Sequence, residues 1–164
     1  MNRAERDPFE HAQRIGRQLG AWAVASVAFG GALAAAAALG ALPETWDRVA
    51  LGIGVQCLVW GAIDGAIAWF GQRDLQRRRA AGEPDDPAAT RAFARRLRRL
   101  LLLNAGLDVL YVAVGVALIT LWQTPDGLGH GIGVVLQGGF LLVFDTVHGT
   151  RAATGDGPRA SARP

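Results

Sequence analysis

Apolar and polar positions in this chain separate into long blocks instead of alternating residue by residue. Four windows of about 20 predominantly apolar residues, the length a helix needs to cross a hydrocarbon core, fall at Leu19–Leu42, Val49–Gly71, Leu100–Trp122 and Gly127–Gly149. The first contains no ionisable residue and is too long for the apolar stretch of a signal peptide. The segment before it, MNRAERDPFEHAQRIGRQ, mixes acids with arginines, so the span is expected to be retained. The connections PETWDR and QTPDG are short and contain proline, which forces spans one and two, and spans three and four, into antiparallel hairpins. The pattern predicts an all-α fold, a four-helix transmembrane bundle of two hairpins over residues 19–149. A cytosolic lead-in helix over 1–18, an arginine-rich cytosolic loop over 72–99 and a disordered tail over 150–164 complete the expected organisation.

Helix signals extend beyond the spans. In GEPDDP, Asp86 followed by Pro87 reads as an N-cap with proline at the first helical position, so AATRAFARRLRRLLLLN is expected to run unbroken into span three. Phe93, Leu97 and Leu100 recur at helical spacing there, giving an amphipathic surface helix whose arginines reach lipid phosphate. Asp7, Pro8 and Glu10 repeat the capping logic before span one. Trp22 and Trp69 at one boundary, with Trp46 and Trp122 at the other, fit interfacial aromatic belts, whereas Trp60 falls in mid-span.

A parallel two-fold pseudo-repeat is also expected. Gln56, Trp60 and Asp64 in span two resemble Gln137, Leu141 and Asp145 in span four, and a GIGV tetrapeptide precedes each set, at Gly52–Val55 and Gly131–Val134. Small residues at four-residue spacing, Gly61 with Gly65 and Gly129 with Gly133, let helix backbones approach closely, and Gly30 and Gly31 do the same in span one.

Charge sets the orientation. All 17 basic residues among the 164 are arginine. Nine lie between Arg73 and Arg99, against Arg48 alone in PETWDR and none in QTPDG, so the middle loop and both termini are expected to be cytoplasmic. The richness in alanine, glycine and arginine points to a bacterial chain and hence to the inner membrane. The formal charge of +3 would suit nucleic acid in a soluble protein. Here Arg73, Arg77, Arg78, Arg79, Arg95, Arg96, Arg98 and Arg99 border apolar spans, and anionic lipid headgroups are the expected partner instead. Self-association of the bundle is left open by the sequence.

The candidate chemistry lies in carboxylates within the spans. Asp64 sits in WGAIDGAIAWFG, Asp108 in LLLLNAGLDVLYVAVG and Asp145 in span four, about 10, 12 and 6 Å from the arginine-rich ends of their helices at 1.5 Å per residue. Helical spacing adds Gln56 and Trp60 to Asp64, Asn104 and Tyr111 to Asp108, and Gln137 and His148 to Asp145. No arginine lies within a span, and a carboxylate in hydrocarbon costs several kcal/mol unless protonated, hydrated or matched by a cation. Two readings follow. In one, Asp64, Asp108, Asp145, Asn104, Tyr111, Gln137 and His148 line a pocket in the cytoplasmic half that binds or moves a cation, a proton or a small polar ligand. In the other, the protein is an accessory or scaffolding membrane protein whose aspartates only hold helices together.

Other chemistries are not signalled. Cys57, the single cysteine, excludes an internal disulfide and reads as a small packing residue. His130 lies near the outer interface, and His11 has no visible partner. There is no HExxH motif, serine elbow, P-loop or GxGxxG, so neither an enzyme nor a cofactor is indicated. The motifs WGxID, NxGLDxxY and QGxFLLxFDxxH, spanning Val49 to His148, resemble those of small uncharacterised four-span bacterial membrane proteins, a domain of unknown function. That resemblance implies a four-span fold and carries no activity.

Overall fold

The computed structural model describes residues 7–152. Four helices account for nearly all of them: α1 (Pro8–Ala38), α2 (Glu44–Ala80), α3 (Pro87–Leu121) and α4 (Pro125–Arg151), with one 3-10 turn at Glu83–Asp85. The fold is an all-α four-helix bundle, and each helix is long and apolar enough to cross a membrane. Residues 150 and 151, expected in the tail, belong to α4; residues 153–164 of the expected tail and 1–6 of the expected lead-in helix lie outside the described residues.

Side-chain caps set three of the four starts. Asp7 accepts from the Phe9 backbone N–H and Asp86 from that of Ala88, both at 2.8 Å, and each is followed by proline at the first helical position. Thr124 caps α4 through the Gly127 N–H at 3.1 Å. The helices outrun the hydropathy windows. α2 continues to Ala80 and α3 begins at Pro87, so the expected arginine-rich loop is mostly helix, closed by Gly82 at φ +75° and the 3-10 turn. Hydropathy marks only the part that suits hydrocarbon, while arginine and alanine favour continued helix beyond it.

Both hairpins pack through glycine, and they do so in the same register. A Cβ on Gly54 would stand 2.8 Å from the Gly30 carbonyl oxygen and 2.9 Å from the Ala34 nitrogen. In the second hairpin, a Cβ on Gly131 would stand 2.8 Å from the Gly115 carbonyl oxygen and 3.0 Å from the Ile119 nitrogen. Further along, Gly61 abuts Ser26 and Val27 as Gly138 abuts Tyr111 and Val112. Nearer the arginine-rich end, Gly16 meets Gln72 as Gly149 meets Leu101 and Leu102. The hairpins join where Gly52 of α2 faces Gly129 of α4, and those two positions correspond in the same register. The bundle is therefore a pseudo-two-fold of hairpins with parallel α2 and α4 at its centre.

This packing register lies one helical turn from the one that aligns the two glutamines. It pairs Trp60, not Gln56, with Gln137, and it sets Leu141 opposite Asp64, Ala23 opposite Asp108 and Ala68 opposite Asp145. The GIGV tetrapeptides, whose alignment lies two residues from this register, and the glutamines, which lie four away, are thus poorer guides than the close contacts.

Two clefts separate the hairpins, one between α1 and α4 and one between α2 and α3. At one end Arg48 and Asp126 tie the two hairpin turns together at 3.0 Å. At the arginine-rich end, Phe9 of α1 stacks on Phe93 of α3 at 4.5 Å. Between these ends the two clefts differ in content, and that difference positions the site.

Candidate functional site: an acidic cavity between α2 and α3

The α1/α4 cleft is filled. Trp22 stacks on Phe140 with ring centroids 3.7 Å apart and planes 8° from parallel. Its Nε1–H donates to Gln137 Oε1 at 3.0 Å, and Gln137 Nε2 donates in turn to Ser26 Oγ at 3.3 Å. Trp22 is therefore the anchor of a buried polar contact and not simply a belt residue, and Gln137, 1% exposed, has partners on α1.

The α2/α3 cleft is open. The positions corresponding to Trp22 and Phe140 are Leu107 and Ile63, and these are 54% and 41% exposed. What remains is a cavity of about 420 Å³, within the range of small-ligand sites. Its walls are apolar, from Ile15 and Leu19 of α1, Ile67 and Ala68 of α2, and Leu97 and Leu101 of α3. Asp64, Asp108, Asp145, Asn104, Tyr111 and Trp60 also line it. Trp60 and Tyr111 meet edge to face at 4.8 Å, bridging α2 and α3 beside the carboxylates. Asp74, Arg78 and Arg96 line the arginine-rich end.

The carboxylates are enclosed, and two of the three are under-bonded. Asp64 is 1%, Asp108 6% and Asp145 7% exposed. One oxygen each of Asp64 and Asp108 is buried with no hydrogen-bond partner among the described residues. Asn104 stands beside Asp145, and the three acids lie near enough to repel one another. Arg78 is the one arginine among the cavity's lining that is tied to acids, bonding Asp74 at 2.7 Å and Glu83 at 3.0 Å. Among the described residues, no three His, Cys, Asp or Glu side chains converge as a metal ligand set would.

The remaining polar residues face elsewhere. Gln56 Nε2 lies 3.1 Å from His130 Nδ1, joining α2 to α4 toward the hairpin-turn end. His130 itself stacks over Trp122. His148 packs its ring against Phe144 and lies 5.2 Å from the ring of His11, whose Nε2 donates to the His148 carbonyl at 3.2 Å. Gln56, Gln137 and His148 are thus absent from the cavity lining, while the apolar wall residues of α1 carried no signal in the sequence because they look like any lipid-facing or core position.

Fold and cavity together define a multi-pass membrane protein with four spanning helices and carboxylates enclosed between its two hairpins. The chain belongs to a family of unknown function, DUF6992, whose model matches residues 18–146 and so reaches into all four helices and includes the three aspartates. No curated protein and no solved structure matches it.

Proposed function

We propose that this is a bacterial inner-membrane protein, with both termini in the cytoplasm, that binds a cationic ligand on Asp64 and Asp108 inside the membrane. The observation that carries the reading is the pair of enclosed carboxylate oxygens, on Asp64 and Asp108, that no donor among the described residues satisfies. A charged aspartate at the centre of a spanning helix costs about 2.5–3.5 kcal/mol even on the mildest scale. Two neighbouring ones add mutual repulsion, and a bound cation offsets both terms at once. The arginines that line the cavity cannot substitute. At 1.5 Å per residue, Arg78 lies about 21 Å along α2 from Asp64, and Arg96 about 18 Å along α3 from Asp108.

The scaffolding alternative asks the aspartates to act as inter-helix glue. Glue of that kind takes the form seen in the other cleft, where Trp22, Gln137 and Ser26 hydrogen-bond across α1 and α4. Neither Asp64 nor Asp108 makes a side-chain hydrogen bond of that sort among the described residues, which favours binding. The orientation rests on the arginine asymmetry between the middle connection and the two hairpin turns.

Thermal unfolding in phosphatidylcholine nanodiscs, run across sodium, magnesium and organic ammonium salts, tests the reading. A cation of at least one class is expected to raise the midpoint of the wild type and to lose that effect in Asp64→Asn and Asp108→Asn. The absence of any cation effect that depends on these aspartates would sink it.

A further inference from the structure

The pseudo-symmetry of the bundle identifies what kind of cation fits. Each inter-hairpin cleft has the same backbone frame and each is crossed by an aromatic pair, but the stack of Trp22 on Phe140 fills its cleft, whereas Trp60 and Tyr111 meet edge to face one turn further along and leave the equivalent space unplugged. In the other, leucine and isoleucine replace the tryptophan and phenylalanine, and the space so left is bordered on the outer face of the bundle by Ile67, Leu100, Leu107 and Tyr111. All four are exposed, at 56%, 48%, 54% and 43%, on helices that span the membrane. Hydrocarbon, not water, therefore lies outside this flank. The water-side end of the cavity instead presents Arg96 beside an Arg78 already paired with Asp74 and Glu83, and so offers a small hydrated cation a guanidinium and no lining carboxylate that is not already paired.

The ligand set points the same way. Hard metal ions take six or more oxygen ligands in most protein sites, and among the described residues no three His, Cys, Asp or Glu side chains converge. Two under-bonded carboxylates, Asp64 and Asp108, at the deep end of an apolar chamber, with Asp145 held beside Asn104 and the indole of Trp60 alongside, match a single positive group carried on an apolar body.

Resting on the cation-binding reading above, we propose that the ligand is an amphipathic organic cation, an alkylated ammonium or lipid-soluble amine, that enters sideways from the bilayer between α2 and α3. Its charged group docks on Asp64 and Asp108, and its apolar portion fills the chamber walled by Ile15, Leu19, Leu97 and Leu101.

The probe is octyltrimethylammonium below its micelle threshold, titrated calorimetrically into the full chain in phosphatidylcholine nanodiscs, with octyl sulfate, sodium and magnesium as comparisons. Saturable binding of octyltrimethylammonium is expected, weakened about tenfold or more in Asp64→Asn and in Asp108→Asn, with none for octyl sulfate. A second variant guards against misfolding. Leu107→Trp rebuilds the plug that Trp22 forms in the other cleft and leaves every carboxylate in place. It is expected to keep helicity and abolish octyltrimethylammonium binding. Undiminished binding in Leu107→Trp, or equal uptake by wild type and both aspartate variants, means partition into lipid only and overturns the proposal. Aspartate-dependent binding of sodium or magnesium alone overturns the organic ligand and leaves cation binding standing. No binding of any cation defeats both.

Discussion

Replacing Trp22 with leucine tests whether the α1/α4 cleft is a built plug. The substitution removes the donor to Gln137, which is 1% exposed and has only Ser26 left as a side-chain partner. Leaving a buried amide oxygen unsatisfied costs about 1–3 kcal/mol. Losing the stack on Phe140 costs a further 0.5–1.5 kcal/mol, roughly, beyond the area it buries. Together these come to about 1.5–4.5 kcal/mol, and at about 2–4 °C per kcal/mol for a chain of this size the midpoint should fall by about 3–18 °C. Trp22→Phe keeps a ring against Phe140 and loses only the hydrogen bond, so its drop should be the smaller of the two. Circular dichroism at the helix band during heating in nanodiscs measures both without relying on tryptophan emission. If Trp22→Leu unfolds with the wild type to within about 1 °C, the cleft is not held by this contact and the contrast between the two clefts loses its basis.

Gly54→Ala and Gly131→Ala place a methyl under 3 Å from backbone atoms of the partner helix at equivalent points, so each should destabilise by about 1–3 kcal/mol, whereas Gly106→Ala, with open space around it, should match or exceed the wild type in the same melts. In the absence of ligand, Asp108→Asn should raise the midpoint, because it removes an under-bonded buried charge; a clear fall would support inter-helix glue instead. With Cys57 changed to alanine, a cysteine at Thr124 should react with an impermeant thiol reagent from outside the cell and one at Ala81 should not, and the reverse pattern would invert the orientation.

The fold was legible because its determinants are local. Span length, the proline-bearing turns and the Asp7 and Asp86 caps each act within a few residues, and α1 and α3 begin just after those aspartates. The candidate cavity's polar lining was legible only where polar residues lie within about one turn of each other. Asn104, Asp108 and Tyr111 share the cavity, as do Trp60 and Asp64. Gln137 and Gln56 each stand two turns from their aspartate, over which the helix rotates by about 80°, and that rotation carries Gln137 to α1 and Gln56 to α4. His148, three positions past Asp145, is turned the other way, toward His11. Only packing shows which neighbour a rotated residue meets. The same holds for the repeat, since glycine spacing leaves the register free by a turn until the close contacts between the helices settle it.

Labelling with a hydrophobic carbodiimide tests most directly whether Asp64 and Asp108 face a membrane-embedded cavity that a ligand can occupy. The reagent partitions into the bilayer, reacts with enclosed carboxyl groups and leaves an adduct that peptide mass spectrometry can place. Adducts at Asp64 or Asp108 are expected in the free protein, and octyltrimethylammonium, but not octyl sulfate, should suppress them. Labelling confined to exposed acids such as Asp74 and Asp85, or labelling of Asp64 and Asp108 that the cation leaves unchanged, would contradict it.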